Sequence, residues 1–71
     1  MISTMNNIGS NILKLRKLRG VTQAQLAKKI KKDRSVIARY ERGDVKVSVD
    51  VVLSIANALR FPIAKFFDKS A

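Results

Sequence analysis

Two helix-start signals inside one basic stretch, Val21 to Gly43, constrain this chain more than any other feature. Thr22 can cap a helix, and Gln25 three residues later completes the capping-box pattern. Leu26, Ala27 and Ile30 then fall on one helical face. Asp33 can cap the next helix, whose inner face is Val36, Ile37 and Tyr40, with Gly43 as its stop. Basic side chains cover the remaining surface. The spacing therefore predicts two short amphipathic helices joined by a tight turn.

That layout is a helix-turn-helix, with the second helix free to enter a DNA major groove. Charge agrees with it. The 15 Lys and Arg against 5 Asp and Glu give a net charge of +10. Most of the excess falls in residues 1–35, where Asp33 is the lone acid. A basic face on a small domain suits a polyanion, although a charged surface can also serve solubility alone. Cysteine and histidine are absent, which excludes disulfides and thiolate or imidazole metal sites. Five scattered acids make no recognisable acid–base pair, and no phosphate-cradling glycine loop occurs, so the chain reads as a binding protein and not an enzyme. No cofactor and no small-molecule ligand are implied. No apolar run approaches the ~20 residues of a membrane span, and Met1 to Asn7 is too short and polar for a signal peptide. A cytoplasmic protein associated with DNA is expected.

Seventy-one residues make one domain with one small core. Such a chain buries only about 60% of its unfolded surface. Residues 1–7 lack periodicity and read as a flexible tail, 8–68 as the domain, and 69–71 as a second tail. The first helix should run from Ile8 or Gly9 to Leu18 or Arg19, with Ile8, Ile12 and Leu15 on its buried stripe and Gly20 ending it. Leu13 points away from that stripe, Leu18 lies on its flank, and Arg16 adjoins it. After a loop from Asp44 to Val47, Ser48 should cap a fourth helix with Val49, Val52, Ile55, Ala56 and Leu59 inside. Pro62 suits the start of a fifth helix carrying Ile63, Phe66 and Phe67, with Phe61 as a staple candidate. No strand pattern or internal repeat appears.

The Thr22-Gln23-Ala24-Gln25-Leu26-Ala27 block and the Ile37, Glu41-Arg42-Gly43 block stand at the spacing of a known family. The chain resembles the lambda-repressor-like helix-turn-helix proteins of the Cro/cI and xenobiotic-response-element type, from about Ile8 to Phe67. The resemblance implies an all-α, compact five-helix domain. It also implies a structural ion pair between Arg16 and Glu41. Two residues depart from the family in the turn: Lys31 stands where glycine is usual, and Lys32 where an apolar residue is usual. A left-handed residue other than glycine costs roughly 1 kcal/mol, so Lys31 is either strained or the turn differs. Lys32 can lay its methylenes over the core.

DNA recognition divides into positioning and reading. The outward positions of the third helix are Arg34, Ser35, Ala38 and Arg39. The family's base-readers map onto Arg34, Ser35 and Arg39, and Ala38 is small enough to approach a thymine methyl. Arginine is the side chain best matched to guanine O6 and N7, and either arginine suits a base or a phosphate. Gln23, in the first turn of the second helix, can meet a phosphate through its amide and a free backbone N–H. Lys28, Lys29, Lys31, Lys32, Arg42 and Lys46 are further phosphate candidates. Phe66 and Phe67 offer more aromatic surface than so small a core should bury, which suggests a homodimer interface. The expected function is sequence-specific binding of double-stranded DNA by a dimeric repressor or controller on paired half-sites. The alternative is a protein-interaction module of the same fold, an antitoxin or coactivator; nonspecific nucleic-acid packaging is a third reading.

Overall fold

The computed structural model describes residues 4–68. Its α-helices are α1 (Thr4–Leu18), α2 (Gln23–Lys29), α3 (Arg34–Arg42) and α4 (Val49–Leu59), followed by a 3-10 helix (Ile63–Phe67). No strand occurs among the described residues, and none of their helices is long and apolar enough to cross a membrane.

All four α-helices end in the same way, with a left-handed residue just past the helix. These residues are Gly20, Lys31, Gly43 and Arg60, with φ between 59° and 79°. In each case the next N–H reaches back five residues, as from Lys32 to the Ala27 carbonyl at 2.9 Å and from Asp44 to the Arg39 carbonyl at 3.0 Å. The same bonds run from Val21 to Arg16 at 3.2 Å and from Phe61 to Ala56 at 3.0 Å. This is the Schellman closure, which satisfies the last carbonyls and turns the chain sharply enough to pack short helices together. The turn after α2 thus keeps the left-handed geometry, with Lys31 at φ 59° carrying the strain that glycine would avoid.

α1 begins at Thr4, earlier than the expected Ile8 or Gly9, so Thr4 to Asn7 are helical and not part of a tail. Residues 1–3 and the expected C-terminal tail, 69–71, lie outside the described residues.

The core gathers Ile8, Ile12 and Leu15 of α1, Leu26 and Ala27 of α2, Ile37 and Tyr40 of α3, and Val52, Ile55, Ala56 and Leu59 of α4. Leu13 is half-buried and Leu18 exposed. Val49, expected inside, is 65% exposed. It occupies the first turn of α4, where the helix has not yet reached the core. Val47 takes that room instead: it is buried one residue before the cap, with Val52 buried at the fourth helical position, the two ends of a hydrophobic staple. Ser48 caps α4 as expected, its hydroxyl accepting from the Val51 N–H at 3.2 Å.

The fifth element is a 3-10 helix and not an α-helix. Pro62 precedes it, its carbonyl accepts from the Lys65 N–H at 3.0 Å, and five residues are too few to repay an α-helical nucleus. Its end is held by Asn11, a buried polar residue of α1, whose Nδ2 donates to the carbonyls of Phe66 and Asp68, both at 2.9 Å. Phe66 is fully buried and so is core, not interface. Phe61 is half-buried, and the Arg19 guanidinium stacks 3.9 Å from its ring centre. The same guanidinium donates to the carbonyls of Leu59 and Arg60 at 2.8 Å, placing a cation on the open C-terminus of α4.

Candidate nucleic-acid interface

α3 stands on a seam with little freedom. A Cβ on Gly9 would lie 2.3 Å from the Tyr40 carbonyl oxygen, so only glycine lets α1 and α3 approach this closely. Inward, Ile37 and Tyr40 are buried and Val36 half-buried; outward, Arg34, Ser35 and Arg39 are exposed with Ala38 half-buried between them. Asp33 occupies the cap position of α3 in extended conformation, but its side chain makes no cap hydrogen bond. An exposed carboxylate exchanges one water hydrogen bond for another on capping, so the net gain is small.

α2 starts with the full capping box. The Thr22 hydroxyl accepts from the Gln25 N–H at 3.0 Å, and Gln25 Oε1 accepts from the Thr22 N–H at 2.9 Å. Gln23 is therefore held at a defined place beside α3.

A chain of hydrogen bonds joins α1, α3 and α2 at this place. Arg16 grips Glu41 with two N–H groups, Nε to Oε2 at 2.6 Å and Nη2 to Oε1 at 3.1 Å. Its Nη1 donates to the Val21 carbonyl at 2.8 Å, which ties the pair to the loop before α2. Both side chains are nearly buried, 9% and 4% exposed. Glu41 Oε1 also accepts from Gln23 Nε2 at 2.9 Å, and Gln23 Oε1 accepts from Arg34 Nη1 at 3.2 Å. Among the described residues, every buried side-chain nitrogen or oxygen has a partner.

The Gln23–Glu41 bond spans 18 residues and is closed by the packing of α2 on α3, so helical spacing offered no sign of it. Gly9 did leave a signal, a lone glycine within an apolar helical pattern, which often marks close packing.

The cations expected at phosphates spread over several surfaces. Lys28 borders a shallow depression with Val21, Gln25 and Lys29. Lys31 lines a groove of about 570 Å³ between α2 and α4, with Lys29, Asn57 and Arg60, to which α3 contributes nothing. Lys32 and Lys46 are exposed. Arg42 is exposed and paired with Asp44 at 2.9 Å.

Known proteins share this fold. The restriction-modification controller protein C.AhdI from Aeromonas hydrophila is 30% identical, with a TM-score of 0.81 over 89% of this chain and 94% of that one. The clp gene regulator ClgR from Corynebacterium glutamicum superposes with a TM-score of 0.87 at 25% identity, over 92% of this chain and 69% of that one. PlcR from Bacillus thuringiensis, solved in complex with the peptide PapR7 and DNA, is 42% identical with a TM-score of 0.76. That match covers 87% of this chain but 22% of PlcR. No curated protein matches by sequence. The family described as helix-turn-helix matches residues 12–66, which takes in α2, α3 and every member of the Arg16–Glu41–Gln23–Arg34 chain. The chain belongs to that helix-turn-helix family, in its Cro/cI and xenobiotic-response-element type.

Proposed function

We propose that this DNA-binding transcriptional regulator acts as a small repressor or controller, binding paired half-sites in double-stranded DNA as a symmetric dimer with α3 in the major groove. The observation that carries this reading is the outer face of α3: Arg34, Ser35 and Arg39 are exposed around Ala38, while Glu41 is turned inward and neutralised by Arg16. A face of cations and small side chains fits between phosphates and reaches base edges without repelling them. C.AhdI, by its description a restriction-modification controller, and PlcR, solved with DNA, support the same class.

In this reading Arg34, Ser35, Ala38 and Arg39 meet bases. Gln23, Lys28, Lys32 and Lys46 meet phosphates, Arg42 joins them on leaving Asp44, and Lys31 sits farther off, against α4. Phe67, 40% exposed beside the buried Phe66, is the aromatic available to a second copy. Sedimentation of Phe67→Ala should show a weaker dimer with an unchanged helical spectrum. An unchanged dissociation constant would move the interface elsewhere.

Selection of bound sites from a random DNA library, followed by mobility shifts with mixed competitor at two salt concentrations, tests the function itself. A preferred site with two related halves about 34 Å apart is the expected result. Equal retention of all sequences, with affinity tracking salt alone, would leave only nonspecific packaging. No retention would favour a protein partner.

A further inference from the structure

The four helix ends close alike, but two of them use residues that resist the left-handed turn. Gly20 and Gly43 adopt it freely, whereas Lys31 and Arg60 hold it at φ 59° and 62°. These two strained positions, far apart in sequence, rim one groove of about 570 Å³ between α2 and α4. Lys29 joins them, and no acid lines the groove among the described residues. Ile30 and Ala58, both half-buried, give it an apolar lining, and Asn57 adds an exposed amide. The side chains of Lys29, Lys31, Asn57 and Arg60 make no hydrogen bond or ion pair among the described residues. Arg60 is not needed to neutralise the end of α4, because Arg19 already donates to the carbonyls of Leu59 and Arg60.

We propose that this groove docks an acidic peptide segment of a partner protein. Lys29, Lys31 and Arg60 meet its carboxylates, and Ile30 and Ala58 receive an apolar side chain set between them. Backbone strain persists where a side chain earns its place by function, and here glycine would close both turns at less cost but leave the groove uncharged. Asn57 can both donate to and accept from the peptide backbone. α3 contributes nothing to the groove, so the partner can sit there while the outer face of α3 is occupied. The site is thus separate from the face proposed to meet DNA and does not depend on that reading.

The lining favours carboxylates on a peptide over a phosphate chain. A phosphate site gains most from the free N–H groups of a helix N-terminus. This groove lies instead at the C-terminal ends of α2 and α4, where carbonyls and not N–H groups point outward. Its apolar lining offers a sugar–phosphate backbone little, whereas an aliphatic side chain gains by leaving water there. Leu53, 46% exposed and one helical turn before Asn57, extends that apolar surface along α4. Cations around an apolar strip are the complement of an acidic amphipathic segment.

The test uses the full chain and a displayed library of random short peptides. The enriched peptides should carry Asp or Glu on either side of an apolar residue. Titrating a synthetic copy of the best one into isotope-labelled protein should shift the amides of Lys29, Lys31, Asn57 and Arg60 and leave those of Arg34 and Arg39 in place. Arg60→Gly, which relieves strain and so keeps the fold, should weaken the peptide by about 2- to 5-fold. Arg60→Glu should weaken it by about 10-fold or more, since a like charge then faces the ligand. Arg60→Lys should bind as the wild type does. Enrichment of peptides without acids, or of none, would overturn the proposal. So would shifts on the α3 face, with peptide and duplex DNA excluding each other. Inorganic tripolyphosphate or a second DNA duplex binding at Lys31 and Arg60 more tightly than the peptide would reassign the groove to a phosphate ligand.

Discussion

At the seam between α1 and α3, a methyl group on Gly9 would strike the Tyr40 carbonyl, and Arg16 and Glu41 meet almost out of water. At the seam between α2 and α4, a groove stays open, rimmed by Lys29, Lys31 and Arg60, the last two in left-handed conformations that glycine would hold more easily. The first seam carries the outward face of α3. Its close packing and its ion pair leave that helix little room to tilt, so the side chains on its outer face are presented in one geometry. The second seam carries none of the residues proposed to read bases, and strain and open space persist there. Close packing in this small protein is concentrated behind the face proposed to bind DNA.

The contrast can be broken most severely at the ion pair. Glu41→Gln or Arg16→Met leaves a nearly buried charge without its partner and should cost roughly 3–5 kcal/mol in a urea melt. The double mutant should recover part of that loss, since both charges are then gone. Two near-neutral single mutants would show that the seam is wetter than its 9% and 4% exposures indicate.

Gly9→Ala comes next. The added methyl meets backbone, which cannot swing aside, so α1 and α3 must separate. The expected loss is about 1–3 kcal/mol, with a fall in DNA discrimination as α3 shifts. Full stability in Gly9→Ala would mean that the two helices can slide.

The smallest effects compare the four helix ends. Lys31→Gly and Arg60→Gly should each raise stability by up to about 1 kcal/mol, by releasing a left-handed side-chain residue. Gly20→Ala and Gly43→Ala should lose about as much, and since a Cβ at either glycine meets nothing, the loss would come from the backbone alone. Thermal melts of the four variants make one internally controlled set. A loss on replacing Lys31 or Arg60 would show that these cations hold the open groove and do not merely border it.

Much of this was legible in the residues. Thr22 with Gln25, Ser48, Gly20 and Gly43 mark their helix ends by local chemistry, and local chemistry acts over three or four residues whatever the rest of the chain does. The buried stripes of α1, α2 and α3 followed from spacing alone, as did most of α4. Asp33 showed the limit of such signals: its position was right and its hydrogen bond was absent, because an exposed cap gains little over water.

The sequence by itself therefore determined where the helices lie, which faces turn inward and that the outer face of α3 is cationic, since each depends on neighbours a few residues apart. Tertiary structure alone decided that Val47 replaces Val49 in the core, that Phe66 is core while Phe67 stays open, and that Asn11 holds the last turn. It alone also joined Arg16 and Glu41 to Gln23, and Gln23 to Arg34. Those outcomes depend on which groups meet when helices distant in sequence pack together. A hydrogen bond between residues 18 positions apart has no periodicity to announce it.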